Sequence, residues 1–242
     1  MKVSLFAQTN VQLYNQLLRE GYKKSELSMI RCAYDAASAL FAGGFRPSGK
    51  PFLAHLVGTA SILADLRAKA SVVAAGLLHA AYDHGEFGDG SRATTLSKRR
   101  RLQRAVGKET EELVRAFTDF LWNKKTIPII AKSLDTLSPR CRQALLIRLA
   151  NELEDYLDLG ILYCNGVPRA RMRPPRFQSL LVHMSKQLRF PKLASAFRQA
   201  FQEAVSAQVP EFLRRKEHYS FLITDPSRRL RRTRLLGKSR MV

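Results

Sequence analysis

Apolar positions recur every three or four residues along almost the whole chain. A first stripe runs from Val11 to Leu18 and closes at Gly21. This period is typical of amphipathic helices, and no segment offers several alternating strands joined by hairpin turns. The pattern therefore predicts an all-α fold.

The same period predicts where the other helices lie. Ser25 can cap a helix that contains Leu27 and Leu40 and ends at Gly43-Gly44. Further helices are expected at about 53–68, 70–82, 107–122, 138–159, 176–188, 191–207 and 209–217. Three intervening segments rich in Pro, Gly or both are interpreted as loops, at residues 46–51, 85–95 and 165–176.

The last of these loops suggests a division of the chain. We expect a main helical domain over residues 1–165 and a carboxy-terminal helical extension packed on it over residues 166–225. Residues 226–242 are expected to form a flexible basic tail that a partner would order.

The charge of the chain indicates an anionic partner. At 242 residues and 45% hydrophobic, the chain can bury a substantial core, yet its net charge is +21. Such a charge suits a phosphorylated small molecule, a nucleic acid bound through the basic tail, or a membrane surface. A second basic cluster lies at 98–101, but no basic run is interleaved with aromatic residues that could stack on bases.

The cysteines and the apolar segments point to a cytoplasmic protein. Cys32, Cys141 and Cys164 are far apart and odd in number, which gives neither a disulfide framework nor a zinc-finger spacing. No segment approaches the roughly 20 apolar residues that a transmembrane helix needs, and the amino terminus lacks the apolar core of a signal peptide.

Three histidines lie close together in the sequence. His55 belongs to the predicted helix FLAHLVGTASILADL, His79 lies near the end of the next one, ASVVAAGLLHAAY, and His84 follows. Two adjacent helices can bring the first two imidazoles to one point in a bundle core, which is how helical bundles build metal sites. Imidazole is the usual nitrogen ligand of a transition metal.

These residues carry a resemblance to a known family. RPSGKPFLAHLVGTASILADL followed by VVAAGLLHAAYDH resembles the start of the HD superfamily of metal-dependent phosphohydrolases. The likeness is to the hydrolase domain of the guanosine tetraphosphate synthetase/hydrolase family, whose motifs read R-x-SGEPY-x-x-HP, A-x-x-LLHDV-x-ED and L-A-D-R-L-H-N. Residues 104–120 resemble a further segment of that family, FG-x-EVA-x-LV, and residues 149–153 resemble its last motif. The resemblance covers about residues 44–160 and implies an HD-domain-like helical bundle.

The resemblance also implies a metal site, with departures from the family pattern. His55, His79 and Asn151 would be the ligands of a divalent metal, Mn²⁺ or another transition metal. The aspartate after the second histidine is replaced by Ala80, and the distal aspartate is replaced by Asn151. Since neutral ligands do not offset a divalent charge, the affinity for metal should fall.

One function that this pattern predicts is metal-assisted hydrolysis of a nucleotide or sugar phosphate at a modified site. Asp83, His84, Glu86 or Glu154 would supply the missing charge, and Asp83 or His84 would act as the general base for a metal-activated water. The alternatives are a catalytically inactive HD-like binding or scaffold protein, and a basic nucleic-acid or membrane-surface binder. His84 could instead be a helix-end residue and Asp83 a turn residue.

Two further segments allow more than one interpretation. Arg46 and Lys50 could hold a phosphate while Ser48 donates its hydroxyl, as the resemblance implies for this loop, or the segment is an ordinary Pro-Ser-Gly turn. The residues Asn151, Glu154, Asp155 and Asp158 share one face of a predicted helix. This acidic face could approach a cation or bind the protein's own arginines, and ordinary ion pairs are the more common outcome.

Overall fold

The computed structural model describes residues 6–164, 174–214 and 220–222, and it is almost entirely helical. The α-helices are α1 (Asn10–Arg19), α2 (Lys24–Phe41), α3 (Phe52–Asp65), α4 (Ala70–Leu78), α5 (Ala81–His84), α6 (Leu96–Val106), α7 (Lys108–Asp119), α8 (Thr126–Lys132), α9 (Pro139–Leu157), α10 (Pro175–Gln187) and α11 (Pro191–Ser206). Short 3₁₀ helices lie at Leu134–Thr136, Gly160–Tyr163 and Glu211–Leu213. Two strands, β1 (Gly44–Phe45) and β2 (Phe221–Leu222), form an antiparallel pair. The predicted all-α fold class is confirmed.

Local capping explains where several helices begin. Thr9 and Gln12 form a capping box at α1, in which the Thr9 hydroxyl accepts from the Gln12 N–H and the Gln12 side chain accepts from the Thr9 N–H. At α9 the Ser138 hydroxyl accepts from the Cys141 N–H at 3.2 Å. The cap predicted at Ser25 is wrong, because α2 already begins at Lys24 and Ser25 lies inside it.

The centre of the bundle consists of α3 and α4, which are apolar on nearly every side. Helices α2, α7 and α9 surround this pair, and such surroundings suit helices without a polar face. At Gly76 the two central helices come so close that a Cβ atom would lie 2.6 Å from the Leu63 Cδ1 atom. Close packing here fixes the relative positions of the side chains that follow Gly76, including His79.

The carboxy-terminal helices pack on this bundle. Helix α11 contacts α9, where the rings of Tyr156 and Phe201 meet edge to face at 4.9 Å, and α10 contacts both α11 and α8. The domain boundary predicted near residue 165 and the predicted tail lie outside the described residues, so the division of the chain into domains stays a prediction. Among the helices that are described, none has both the length and the apolar character to cross a membrane.

Candidate functional site

Two buried histidines face one another in the centre of the bundle. His55 lies in α3 and is fully buried, and His79 follows α4 and is 2% exposed. Their ring centroids are 5.3 Å apart and their planes are inclined by 75°. The structure therefore brings together the two imidazoles that the sequence places on neighbouring helices.

His79 is held in one tautomer. Its Nδ1 atom donates a hydrogen bond to the Gly76 carbonyl oxygen at 2.8 Å, so the lone pair belongs to Nε2. Burial lowers the pKa of His79 well below its usual value, and the neighbouring imidazole of His55 adds to this effect. His79 is therefore a neutral imidazole, and the described contacts include no hydrogen bond to its Nε2 atom.

His55 has hydrogen-bond partners on both ring nitrogens. Its Nε2 atom lies 3.1 Å from the Asn151 Oδ1 atom, and its Nδ1 atom shares a hydrogen bond with the Glu154 Oε2 atom. Burial lowers the pKa of His55 to about 3, and the positive charge of Arg46 contributes. The imidazole is thus neutral, and its tautomer depends on whether the Glu154 carboxyl group carries a proton.

Glu154 is a buried acid on the face of α9 that contacts α3. Burial raises its pKa to about 7, against the opposing effect of the Lys50 ammonium. The space for its side chain comes from Gly58 in α3, where a Cβ atom would lie 2.6 Å from the Glu154 Oε1 atom. A glycine one turn beyond His55 therefore allows the carboxyl group to reach the imidazole.

A tight loop before α3 supplies two cations to the same acidic face. The Arg46 N–H donates to the Lys50 carbonyl oxygen, the Gly49 N–H donates to the Arg46 carbonyl oxygen, both at 2.8 Å, and Gly49 has a φ of +84°. Strand β1 enters this loop and is paired with β2, where the rings of Phe45 and Phe221 stack at 5.3 Å. The loop therefore leaves the sheet with its side chains directed at α9.

Both cations form ion pairs with the acidic face. The Arg46 Nη2 atom lies 2.5 Å from the Asp155 Oδ1 atom. The Lys50 Nζ atom contacts the Glu154 carboxylate and lies 2.6 Å from the Asp158 Oδ2 atom. Burial opposes the charge of both cations, but these carboxylates outweigh it and raise the pKa of each. The sequence allows two alternatives for this face, a bound cation or ion pairs with the chain's own basic residues, and the structure contains the ion pairs.

The other predicted site residues lie at the periphery. Asp83 and His84 are exposed on α5, where the Arg92 guanidinium donates to the Asp83 carbonyl oxygen at 2.5 Å and lies 3.4 Å from the His84 Nδ1 atom. The His84 ring packs 5.5 Å from the Phe52 ring. No described hydrogen bond joins either residue to His55, His79 or Asn151. Ser48 is partly buried, and its hydroxyl lies 3.5 Å from the Lys50 N–H.

The donor set near His55 does not fit a divalent metal as it is arranged. Ala80 offers no ligand atom, and Asn151 offers a neutral oxygen that already lies on the His55 imidazole. The remaining acids, Glu154 and Asp155, contact Lys50 and Arg46. Since a divalent cation needs anionic ligands that are free to approach it, these residues do not supply its charge balance.

The basic cluster at 98–101 is largely committed to contacts within the protein. Lys98 is 1% exposed and contacts the Ser91 carbonyl oxygen, while Arg99 forms a bidentate pair with buried Glu111 at 2.8 and 3.0 Å. Arg101 donates to the Phe87 carbonyl oxygen at 2.7 Å. These contacts leave little of the cluster for a nucleic acid, and the basic tail lies outside the described residues.

The chain is similar to several known proteins in sequence and in fold. Residues 38–120 match a family described as a domain of unknown function (DUF6817). The chain is 39% identical over 61 residues to the bifunctional (p)ppGpp synthase/hydrolase RelA of Mycobacterium tuberculosis, a match that covers 25% of this chain and 8% of that protein. It is 33% identical over 142 residues to the probable GTP diphosphokinase RSH3, chloroplastic, of Arabidopsis thaliana, covering 50% of this chain and 20% of that protein. The chain thus spans a fifth or less of the length of these relatives.

A solved structure has the same fold. Its title reads "A metazoan ortholog of SpoT hydrolyzes ppGpp and plays a role in starvation responses", and its similarity to this chain has a TM-score of 0.50 at 19% sequence identity. The match covers 75% of this chain and 97% of that chain. At this level of identity the likeness concerns the fold.

Proposed function

We propose that this chain, whose resemblance to the HD-type hydrolase domains of the guanosine tetraphosphate family is confirmed by sequence and fold, binds a phosphorylated nucleotide without a metal. In this proposal it is the inactive HD-like binding protein that the sequence allows as an alternative. The observation that carries the proposal is the contact of the Lys50 ammonium with Glu154 and Asp158. The carboxylate beside His55 is therefore already paired with a cation of the chain.

Arg46 and Lys50 would hold the nucleotide phosphate by exchange of ion pairs. Asp158 is 41% exposed, so this acid can return to water at small cost when a phosphate takes its place on Lys50. Asp155 is 34% exposed, and burial raises its pKa. A phosphate carries more charge than one carboxylate and accepts two parallel hydrogen bonds from a guanidinium. The names of the sequence relatives make a guanosine phosphate the first ligand to test.

The absence of hydrolysis in this proposal follows from the chemistry of the same residues. Metal-assisted hydrolysis needs a metal that lowers the pKa of a bound water, and positions 80 and 151 lack the carboxylates that would hold it. Asp83 and His84, which would have served as the base, lie exposed and without a described hydrogen bond to the buried histidines. Neither group is therefore placed to remove a proton from a water molecule at His55.

Metal-assisted phosphohydrolysis is the second candidate, and one observation favours it. His79 is held with its Nε2 lone pair unprotonated, in the tautomer that a metal-ligating histidine adopts, and its ring lies 5.3 Å from His55. In this alternative Mn²⁺ or a similar ion would be required for turnover.

Calorimetric titration with guanosine tetraphosphate in the presence of EDTA tests the proposal. The wild-type chain should bind, and Arg46→Ala should weaken binding by about tenfold or more, because a charge-assisted contact is lost. Lys192→Ala is a matched control, since Lys192 forms a comparable ion pair with Asp65 at 2.5 Å on another helix. Lack of binding by the wild-type chain would overturn the proposal, and release of pyrophosphate on addition of Mn²⁺ would establish the second candidate instead.

A further inference from the structure

The ligand atoms around His55 have the spacing of a small cation site. One atom each of His55, Glu154 and Asp155 lies within 4.8 Å of the other two. A nitrogen and two carboxylate oxygens are ligands that transition metals accept. The cluster lies between α3 and α9, where Gly58 leaves room for the Glu154 side chain: a Cβ atom at position 58 would lie 2.6 Å from the Glu154 Oε1 atom.

The His79 ring lies beside this cluster. Its side chain is 2% exposed and its ring centroid lies 5.3 Å from that of His55. Because its Nδ1 atom donates to the Gly76 carbonyl oxygen, its Nε2 atom keeps the lone pair. A second neutral imidazole is therefore close to the three ligand atoms.

In the wild-type chain, the Lys50 ammonium pairs with acids that would otherwise attract a divalent metal. Its side chain is 14% exposed, and its ammonium touches both Glu154 and Asp158. In the family motifs given above, position 50 is a glutamate and position 154 is a histidine, so the two residues that meet here both depart from the pattern. Where the family pattern has an acid on the loop and a base on α9, this chain has a base on the loop and an acid on α9, and the two are in contact.

We propose that the Lys50 ammonium is a built-in cation that takes the place of a divalent metal at the cluster of His55, Glu154 and Asp155. The chain then binds a divalent metal at this cluster only when Lys50 is replaced. This inference deepens the proposed function and rests on its metal-free character. Removing one positive charge leaves three acids of α9 with Arg46 as their remaining cation, and the electrostatic attraction for a divalent ion rises.

Titration with Mn²⁺ alone, without any nucleotide, tests this inference. Lys50→Ala should bind one Mn²⁺ at least about tenfold more tightly than the wild-type chain, by calorimetry and by the paramagnetic relaxation of water. Lys50→Met keeps the aliphatic stem and is measured in parallel, so the result does not depend on the folding of one variant. Circular dichroism establishes that each variant has the helical content of the wild type.

Two control variants separate a specific site from a general gain in negative charge. Lys50→Arg retains the positive charge and should bind Mn²⁺ no better than the wild type. Lys192→Ala also removes the ion-pair partner of an aspartate, Asp65, and it should not gain Mn²⁺ binding. In Lys50→Met, a further His55→Ala change should abolish the gained binding.

The inference is overturned by stoichiometric Mn²⁺ binding to the wild type at the affinity of the Lys50 variants, or by folded Lys50→Ala and Lys50→Met proteins without gained binding. Neither result depends on the nucleotide titration. A wild-type chain that fails to bind guanosine tetraphosphate while Lys50→Met gains Mn²⁺ binding would contradict the nucleotide-binding function and still support the role of Lys50.

Discussion

His55 and Glu154 are separated by 99 positions in the chain and share a hydrogen bond in the core of the bundle. The bond joins α3 to α9, and Asn151 on the same helix contacts the other nitrogen of the imidazole at 3.1 Å. Because both ring nitrogens are engaged, His55 serves as a polar link between two helices. The same link brings the acidic face of α9 under the loop that carries Arg46 and Lys50.

Gly58→Ala should destabilise the fold by about 1–3 kcal/mol, because the new methyl group overlaps the buried Glu154 side chain. The measurement is chemical denaturation followed by circular dichroism. In a Glu154→Ala background the same substitution should cost much less, since the overlap that remains is with the end of the exposed Gln8 side chain, whose Nε2 atom would lie 2.9 Å from the new Cβ atom. An equal effect in the two backgrounds would contradict the contact between these residues.

The free energy of unfolding should depend on pH, because burial shifts the pKa values of His55 and Glu154. The pKa of His55 is lowered from 6.5 to about 3, so the unfolded state binds a proton that the folded state does not, and stability falls as the pH drops through this window. The pKa of Glu154 is raised from 4.5 to about 7, so its contribution is fully present below pH 4.5 and is lost as the pH rises to 7.

The two effects oppose each other above pH 4.5, and that of His55 alone continues below it. Between pH 4.5 and 3, the unfolding free energy of the wild type should fall more steeply than that of His55→Gln, by about 1 kcal/mol per pH unit. Urea denaturation of both proteins at several pH values measures the two slopes. Parallel slopes would show that His55 does not titrate in this way.

Glu111→Ala should be strongly destabilising, by about 3 kcal/mol, because it removes the common partner of several buried or half-buried groups. The Glu111 carboxylate accepts from the Tyr82 hydroxyl at 2.7 Å, from Arg99 at 2.8 and 3.0 Å, and from Gln103 at 2.7 Å. Glu112→Ala is the control on the neighbouring position. It loses ion pairs with half-exposed Arg140 and exposed Lys108, and the thermal unfolding midpoint should change little.

The basic cluster at 98–101 should contribute to stability more than to binding. Lys98→Ala removes a buried stem and the ammonium contacts with the Ser91 carbonyl oxygen and Asp89, so we expect a loss of about 1–3 kcal/mol. Exposed Arg100→Ala should stay within about 0.5 kcal/mol of the wild type. If Lys98→Ala denatures at the same urea concentration as Arg100→Ala, the prediction that the cluster stabilises the fold is wrong.

The long helices could be predicted from the sequence because their apolar stripes are complete. The prediction at 138–159 corresponds to α9 at Pro139–Leu157, and that at 191–207 corresponds to α11 at Pro191–Ser206. Apolar periodicity does not predict helix α6 at Leu96–Val106, because Lys98 occupies one of its three buried positions. A search for apolar periodicity counts lysine as polar, although its methylene groups can be buried in the same way as an apolar side chain.

The convergence of His55 and His79 could be anticipated from helix adjacency, but their electrostatic partners could not. The sequence alone suggests that Arg46 and Lys50 are phosphate ligands or turn residues, and the acids of α9 lie more than a hundred positions away in the chain. Helical spacing shows that Glu154, Asp155 and Asp158 share a face. It does not show that the loop before α3 folds onto that face, since the direction of the loop depends on β1 and β2.

A charge that is part of the polypeptide cannot be removed by a chelator or depleted by the growth medium. The Lys50–Glu154 contact therefore stabilises the junction of α3 and α9 equally in metal-rich and metal-poor surroundings. In an HD-type protein that relies on a diffusible ion, the fraction of molecules that hold the ion depends on its concentration. Every molecule of this chain carries the Lys50 ammonium.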